Sequence, residues 1–181
     1  MKFEICAACV FAMIGVFSSC KKTSVPIDEP CTIQTDSIAI ASKLLTLSFA
    51  EKIMGEPGEL SCNIFTQKGD TAEYRCDYTA LAQDLITGKT GKLYFMLEIY
   101  SNLAASKNTY TSIYQANSRH EGVEIVFGLG DEAYYHSDGI NFYFYLVRKN
   151  EKLLRLKLNK VTSHSSSAEF KTVTRLIVDK L

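Results

Sequence analysis

From residue 36 onward, apolar positions switch between a spacing of about 3.6 residues and a spacing of two, and the switches mark out the elements. Residues 37–54 predict a helix. Ile38, Leu45, Phe49 and Ile53 form one stripe, and Ile40, Leu44, Leu47 and Met54 form a second, roughly opposite. A helix apolar on two sides is buried between layers or meets a partner, and burial within the fold is the commoner outcome. Asp36 is placed to cap its start, and Gly55 with Pro57 to end it. Strands follow at 60–66 and 71–79, then a loop over 80–90 that closes on Gly88. Residues 91–100 alternate strictly, with Leu93, Phe95, Leu97 and Ile99 on one side and Tyr94, Met96, Glu98 and Tyr100 on the other.

Asn102 can cap a polar surface helix over 103–117, with Leu103, Tyr110 and Tyr114 along its inner edge. Short strands are expected at 123–127 and 132–137. In the next strand, 140–148, Ile140, Phe142, Phe144 and Leu146 alternate with Asn141, Tyr143, Tyr145 and Val147. Asn150-Glu151 fits a turn into 152–161, where Leu154, Leu156 and Leu158 oppose Arg155, Lys157 and Asn159: a leucine face inside, a basic face in water. After the polar loop 163–167, Phe170, Val173, Ile177 and Leu181 trace the inner stripe of a last helix. The order α-βββ-α-ββββ-α predicts an α+β domain over 36–181, with an antiparallel sheet packed by helices. The helix-then-strands order occurs twice, which allows a pseudo-repeat, although no residue-level repeat accompanies it.

The first twenty residues follow a different pattern. Residues 5–17 are all apolar or Gly, too short a run for a span of about 20 residues but the right length for the apolar part of a secretory signal. Lys2 supplies a thin positive flank, which Glu4 weakens. Phe17-Ser18-Ser19-Cys20 then resembles the signal of bacterial lipoproteins: a large apolar residue, two small ones and a Cys. Phe17 departs from the commoner Leu. The resemblance implies removal of residues 1–19, a thioether-linked diacylglycerol on Cys20 and an acyl chain such as palmitate on its amino group. Two or three chains at about 0.8 kcal/mol per buried methylene anchor firmly. An ordinary cleaved signal with an incidental Cys is the alternative. Lys21 stands where an Asp would retain such a protein at the inner membrane, so the resemblance favours the outer membrane. Lys21 and Lys22 do not resemble a surface-export signal, which leaves the domain facing the periplasm. Residues 20–35, with Thr, Ser, two Pro and mixed charge, read as a lipidated N-terminus and tether. At ~3.3 Å per residue the tether's reach is about 50 Å.

Composition adds exclusions. The chain has 181 residues, with 20 Lys+Arg balanced by 20 Asp+Glu. That neutrality excludes a non-specific nucleic-acid binder, which needs basic excess. Hydrophobic residues make up 46% and charged residues 22%, so the chain is globular rather than disordered. With no Trp but 10 Tyr and 10 Phe, the aromatics of core and binding surface are Tyr and Phe.

Of six Cys, Cys6 and Cys9 leave with the signal and Cys20 takes lipid, which leaves Cys31, Cys62 and Cys76 in an oxidising compartment. A three-residue loop at 68–70 would set Cys62 opposite Cys76, close enough for a disulfide; a two-residue loop would shift the register by one. A bond from Cys31 to either one, or three free thiols, are the alternatives. No spacing suggests zinc.

Gly128-Leu129-Gly130-Asp131-Glu132-Ala133 ahead of a strand ending Leu146-Val147-Arg148-Lys149-Asn150, together with Lys52-Ile53-Met54-Gly55-Glu56-Pro57 after a helix, resembles small secreted bacterial lipoproteins of uncharacterised families. Among them is the mycobacterial group with a Gly-Leu-Gly-Asp-Ala stretch before a hairpin. The resemblance implies an α+β sensor-like or interaction domain, and it transfers no catalytic residue.

Candidate chemistry is sparse. Asp131, Glu132 and His136 form the densest polar cluster, yet the spacing puts Asp131 in a turn and the other two on a strand, which reads as a solvated turn. Ser165–Ser167 lack a nucleophile elbow, and the Gly pair at 128–130 lacks the third Gly and the helix of a dinucleotide site. No catalytic residue, cofactor or metal is expected. Tyr94, Tyr143, Tyr145 and Arg155 are the candidate ligand-binding residues, on a Tyr-lined sheet face able to hold a glycan or peptide. The expected function is a non-catalytic interaction or scaffold domain on the envelope, with an envelope protein or glycan as partner and no nucleic acid. Small-ligand sensing is the alternative, and a hydrolase centred on His136 the third reading.

Overall fold

The computed structural model describes residues 39–181. The proposed signal, Cys20, the whole tether with Cys31, and the Asp36 cap lie outside them. The elements are α1 (Ala39–Leu44), α2 (Leu47–Met54), β1 (Gly58–Lys68), β2 (Thr71–Ala80), β3 (Lys92–Ile99), α3 (Leu103–Asn117), β4 (Val123–Ile125), β5 (Glu132–Ser137), β6 (Phe142–Lys149), β7 (Lys152–Asn159) and α4 (Ser167–Asp179). The seven strands form one antiparallel sheet in the order β1-β2-β3-β7-β6-β5-β4, so two meanders meet where β3 pairs with β7. The fold is α+β, as the sequence predicts.

The helix expected over 37–54 is two helices. Thr46 takes extended backbone, and its hydroxyl accepts from the Phe49 N–H at 3.3 Å, which starts α2 afresh. The break explains the two stripes. Ala41 of α1 and Leu45, just past its end, are buried, as are Ala50, Ile53 and Met54 of α2, while Ile40 and Leu47 stay partly exposed. Gly55 closes α2 at φ 75°, and its N–H donates to the Glu51 carbonyl at 2.7 Å. A Cβ there would sit 2.0 Å from the His164 carbonyl oxygen, so the position needs Gly for two reasons. Asn102 caps α3 through an acceptor bond from the Ala105 N–H at 2.9 Å, and Ser166 caps α4 through one from the Glu169 N–H at 3.1 Å.

Helices pack on both faces of the sheet. On the first, Leu93, Phe95 and Leu97 meet Leu154, Leu156 and Leu158, which meet Tyr143, Tyr145 and Val147; α1, α2 and α4 cover this layer and form the main core with it. On the second, α3 lays Tyr110, Ile113 and Tyr114 over Tyr134, Leu146, Leu153 and Phe144. The helices that lead the two meanders therefore lie on opposite faces. Leu103, expected on the inner edge of α3, is half exposed.

The disulfide between Cys62 and Cys76 is not formed: Cys76 is a free, buried thiol. The β1–β2 turn has two residues, with Lys68 paired to Thr71 across Gly69-Asp70, so Cys62 faces Asp77 and Cys76 faces Asn63. A register offset of one puts the two sulfurs on opposite faces of the sheet. A bulge between Leu60 and Cys62 restores the alternative pairing only beyond them.

Candidate functional site

The residues singled out for ligand binding are not brought to one face. Tyr143 and Tyr145 belong to the first face, where both are buried under α4. Their rings lie 5.7 Å from the Phe170 ring, that of Tyr145 nearly parallel to it at 17°. Burial raises both phenol pKa values. Tyr94 and Arg155 belong to the second face, where Arg155 donates to the Glu98 carboxylate at 2.7 Å. The open Tyr-lined face is therefore corrected to a covered core layer. Alternation along a strand shows which residues share a side; it does not show whether a helix lies over that side.

The Asp131, Glu132, His136 cluster is likewise divided. Arg148, itself buried, donates from Nε to Glu132 at 2.5 Å and from Nη1 to Asp131 at 2.8 Å. Asp131 also accepts from the Asn150 N–H at 2.8 Å, so both carboxylates fasten the loop before β5 to the β6–β7 turn. The Gly-Leu-Gly-Asp stretch has the same structural purpose. Gly130 sits at φ 64°, and a Cβ on it would lie 2.5 Å from the Arg148 carbonyl oxygen, which accepts from the Asp131 N–H at 2.8 Å. His136 lies apart, its ring 5.8 Å from that of His120 and 4.8 Å from that of Phe142. Burial, and then the neighbouring His120, lower its pKa. Among the described residues no group of three or more His, Cys, Asp or Glu is placed to hold a metal ion.

Among the described residues, the loop between β2 and β3 forms a distinct surface feature. Its centre is Asp84, a buried carboxylate that accepts four hydrogen bonds: from the Ser163 N–H at 2.8 Å, the Ser163 hydroxyl at 3.0 Å, the Thr87 hydroxyl at 2.5 Å and the Ile86 N–H at 3.0 Å. These bonds favour the charged form and hold its pKa below the ordinary carboxylate range. The backbone adds a tight turn, in which the Gly88 N–H donates to the Asp84 carbonyl and the Asp84 N–H to the Lys89 carbonyl, each at 2.8 Å. Beside it, the Thr162 hydroxyl donates to Glu56 at 3.2 Å, and the Leu81 N–H to the Pro57 carbonyl at 3.0 Å.

This scaffold presents apolar side chains to solvent. Leu85 is 96% exposed, Ile86 79% and Leu81 63%. The loop and its neighbours Gly55, Glu56, Pro57 and His164 line an open cavity of about 430 Å³. Asp84 and Glu56 are the carboxylates on its wall, and both are engaged in holding loops together, so the cavity offers an apolar rim on a fixed frame. One signal in the sequence does point here: Leu85-Ile86 is an apolar pair within a loop, matching neither period and flanked by the Asp84 and Gly88 of a tight turn.

Comparison with known proteins finds no matching family model, no matching curated protein and no matching solved structure.

Proposed function

We propose that this chain is a non-catalytic interaction module of the bacterial envelope, carried on lipid at Cys20 and docking a protein partner through the β2–β3 loop. The observation that supports it is the exposure of Leu85 and Ile86 on a loop pinned by Asp84. A large exposed apolar side chain costs solubility, and a loop held by four bonds to one carboxylate spends little entropy on docking. The buried carboxylate of this surface, Asp84, has both oxygens committed to the loop, which favours binding over acid–base chemistry there. The lipid anchor rests on the sequence Phe17-Ser18-Ser19-Cys20 alone.

The test is affinity capture from detergent-solubilised envelopes with three baits: the wild type, the double variant Leu85→Ser/Ile86→Ser, and Gln67→Ser at the opposite end of β1. A protein captured by the wild type and by Gln67→Ser but lost with the double variant supports the proposal. Equal capture by all three, or turnover of a small substrate that the double variant leaves unchanged, contradicts it. Intact mass of the detergent-extracted chain, with a diacylglycerol-bearing Cys20 as its first residue, checks the anchor; an unmodified Met1 contradicts it.

A further inference from the structure

The cavity beside the β2–β3 loop carries charge as well as an apolar rim. Thr162 and Ser163, consecutive in the chain, hold its two carboxylates. The Thr162 hydroxyl donates to Glu56 Oε1 at 3.2 Å, and Ser163 donates to Asp84 through its N–H and its hydroxyl. Glu56 and Asp84 therefore flank one dipeptide. All four donors to Asp84 are neutral, so its bonds stabilise the negative charge without cancelling it. Glu56 is half-buried, and its Oε2 accepts no hydrogen bond from a described residue. Among the described residues, no Lys, Arg or His forms an ion pair with either carboxylate. Lys89, the cation nearest to Asp84 in the sequence, is engaged elsewhere: it donates to the Ile140 carbonyl at 3.1 Å and to the Asn141 side chain at 3.3 Å.

We propose that the occupant of this cavity is a basic side chain, arginine or lysine, that stands next to an apolar one on an exposed segment of the protein partner. The inference rests on the docking reading of the loop and adds the chemistry of what docks. An arginine or lysine has an apolar stem and a charged head. The cavity matches both parts: Pro57, Leu85 and Ile86 supply apolar wall, and the open oxygen of Glu56 supplies the counter-charge. Leu81, 63% exposed on the same loop, extends the apolar surface for the neighbouring side chain. The volume of about 430 Å³ lies near the lower end of the range for ligand pockets, roughly 300–1,000 Å³, so it suits one or two side chains rather than a folded element. The same two carboxylates weigh against insertion of the loop into a bilayer, because anionic headgroups attract basic segments and repel an acidic wall.

The test uses the full chain in detergent and two fluorescein-labelled peptides, Gly-Leu-Arg-Leu-Gly and its counterpart with citrulline, the neutral isostere, in place of arginine. Binding is read as fluorescence anisotropy. The arginine peptide should bind at least about threefold more tightly than the citrulline peptide, and the difference should shrink as NaCl rises from about 50 to about 500 mM. It should vanish in Glu56→Gln, whose amide oxygen can still accept from Thr162. Equal binding of the two peptides by the wild type, or binding of neither, overturns the proposal. If Leu85→Ser/Ile86→Ser abolishes such equal binding, the docking reading survives without the charge assignment. If the double variant binds the arginine peptide as tightly as the wild type does, both fail. In vesicles of phosphatidylethanolamine and phosphatidylglycerol, a photoreactive residue replacing Leu85 should give no lipid adduct; a lipid adduct assigns the loop to the bilayer and overturns the proposal.

Discussion

Phe170→Ala is the sharpest perturbation of the account that buries Tyr143 and Tyr145. Phe170 is fully buried and is the centre of an aromatic cluster, with the Tyr143 and Tyr145 rings at 5.7 Å and the Tyr135 ring at 6.4 Å. An aromatic side chain buries roughly 150–250 Å², which at ~25 cal/mol/Å² is worth about 4–6 kcal/mol, and Ala retains only part of it. The cavity term and the lost ring contacts add to the loss, so about 4 kcal/mol is expected, within the range of about 3–5 kcal/mol for Phe→Ala in a core. For a domain of this size, that lowers Tm by roughly 10–15 °C. The chain has no Trp, so urea unfolding is followed by tyrosine fluorescence and far-ultraviolet circular dichroism. Leu176→Ala, on the same helix but 44% exposed, is the control and should cost about 1 kcal/mol or less. A Phe170→Ala loss no larger than the control's would refute the reasoning: α4 would not be seated on the sheet, and the Tyr face would be open.

Other outcomes follow from the same geometry. Gly55→Ala should destabilise by about 1–3 kcal/mol, read as a lower urea midpoint, because Ala at φ 75° is strained and its Cβ meets the His164 carbonyl. Asp84→Ala should release the β2–β3 loop, read as faster hydrogen exchange at the Ile86 and Ser163 amides with the global midpoint much less changed. The His136 pKa is lowered on folding, so the unfolded chain binds more protons between the folded value and about 6.5, and stability must fall as pH drops through that window. The urea midpoint should therefore decline from pH 7.5 to 5.5 in the wild type and decline less in His136→Gln; Asp84 and Asp138, whose pKa values are also lowered, act only below about pH 4.

Much of this fold is legible in the periodicity. The strict alternation of 91–100 and 152–161 gives two central strands, and Asn102 and Gly55 mark helix ends by mechanisms the structure repeats. Helix 37–54 fails at Thr46, because a hydroxyl able to cap a new helix outweighs an unbroken apolar pattern, and the doubled stripe was the trace of that break. Cys62 and Cys76 fail on a turn one residue shorter than the disulfide requires. Tyr143 and Tyr145 show the deeper limit. Sequence assigns them to the side of the sheet that holds Leu156 and Leu158, but the covering helix is set by contacts more than twenty residues away. The β2–β3 loop is obscured for another reason: Asp84 is held by Ser163, 79 residues further along the chain, a pairing that no local pattern announces.

Site-specific photocrosslinking in intact envelopes tests the central claim most directly. A photoreactive residue replacing Leu85 should give a discrete protein adduct that Ile86→Ser weakens, and the same residue replacing Gln67 should give none. Adducts of equal yield at both positions, or none at Leu85 while the chain remains in the membrane fraction, would contradict the account.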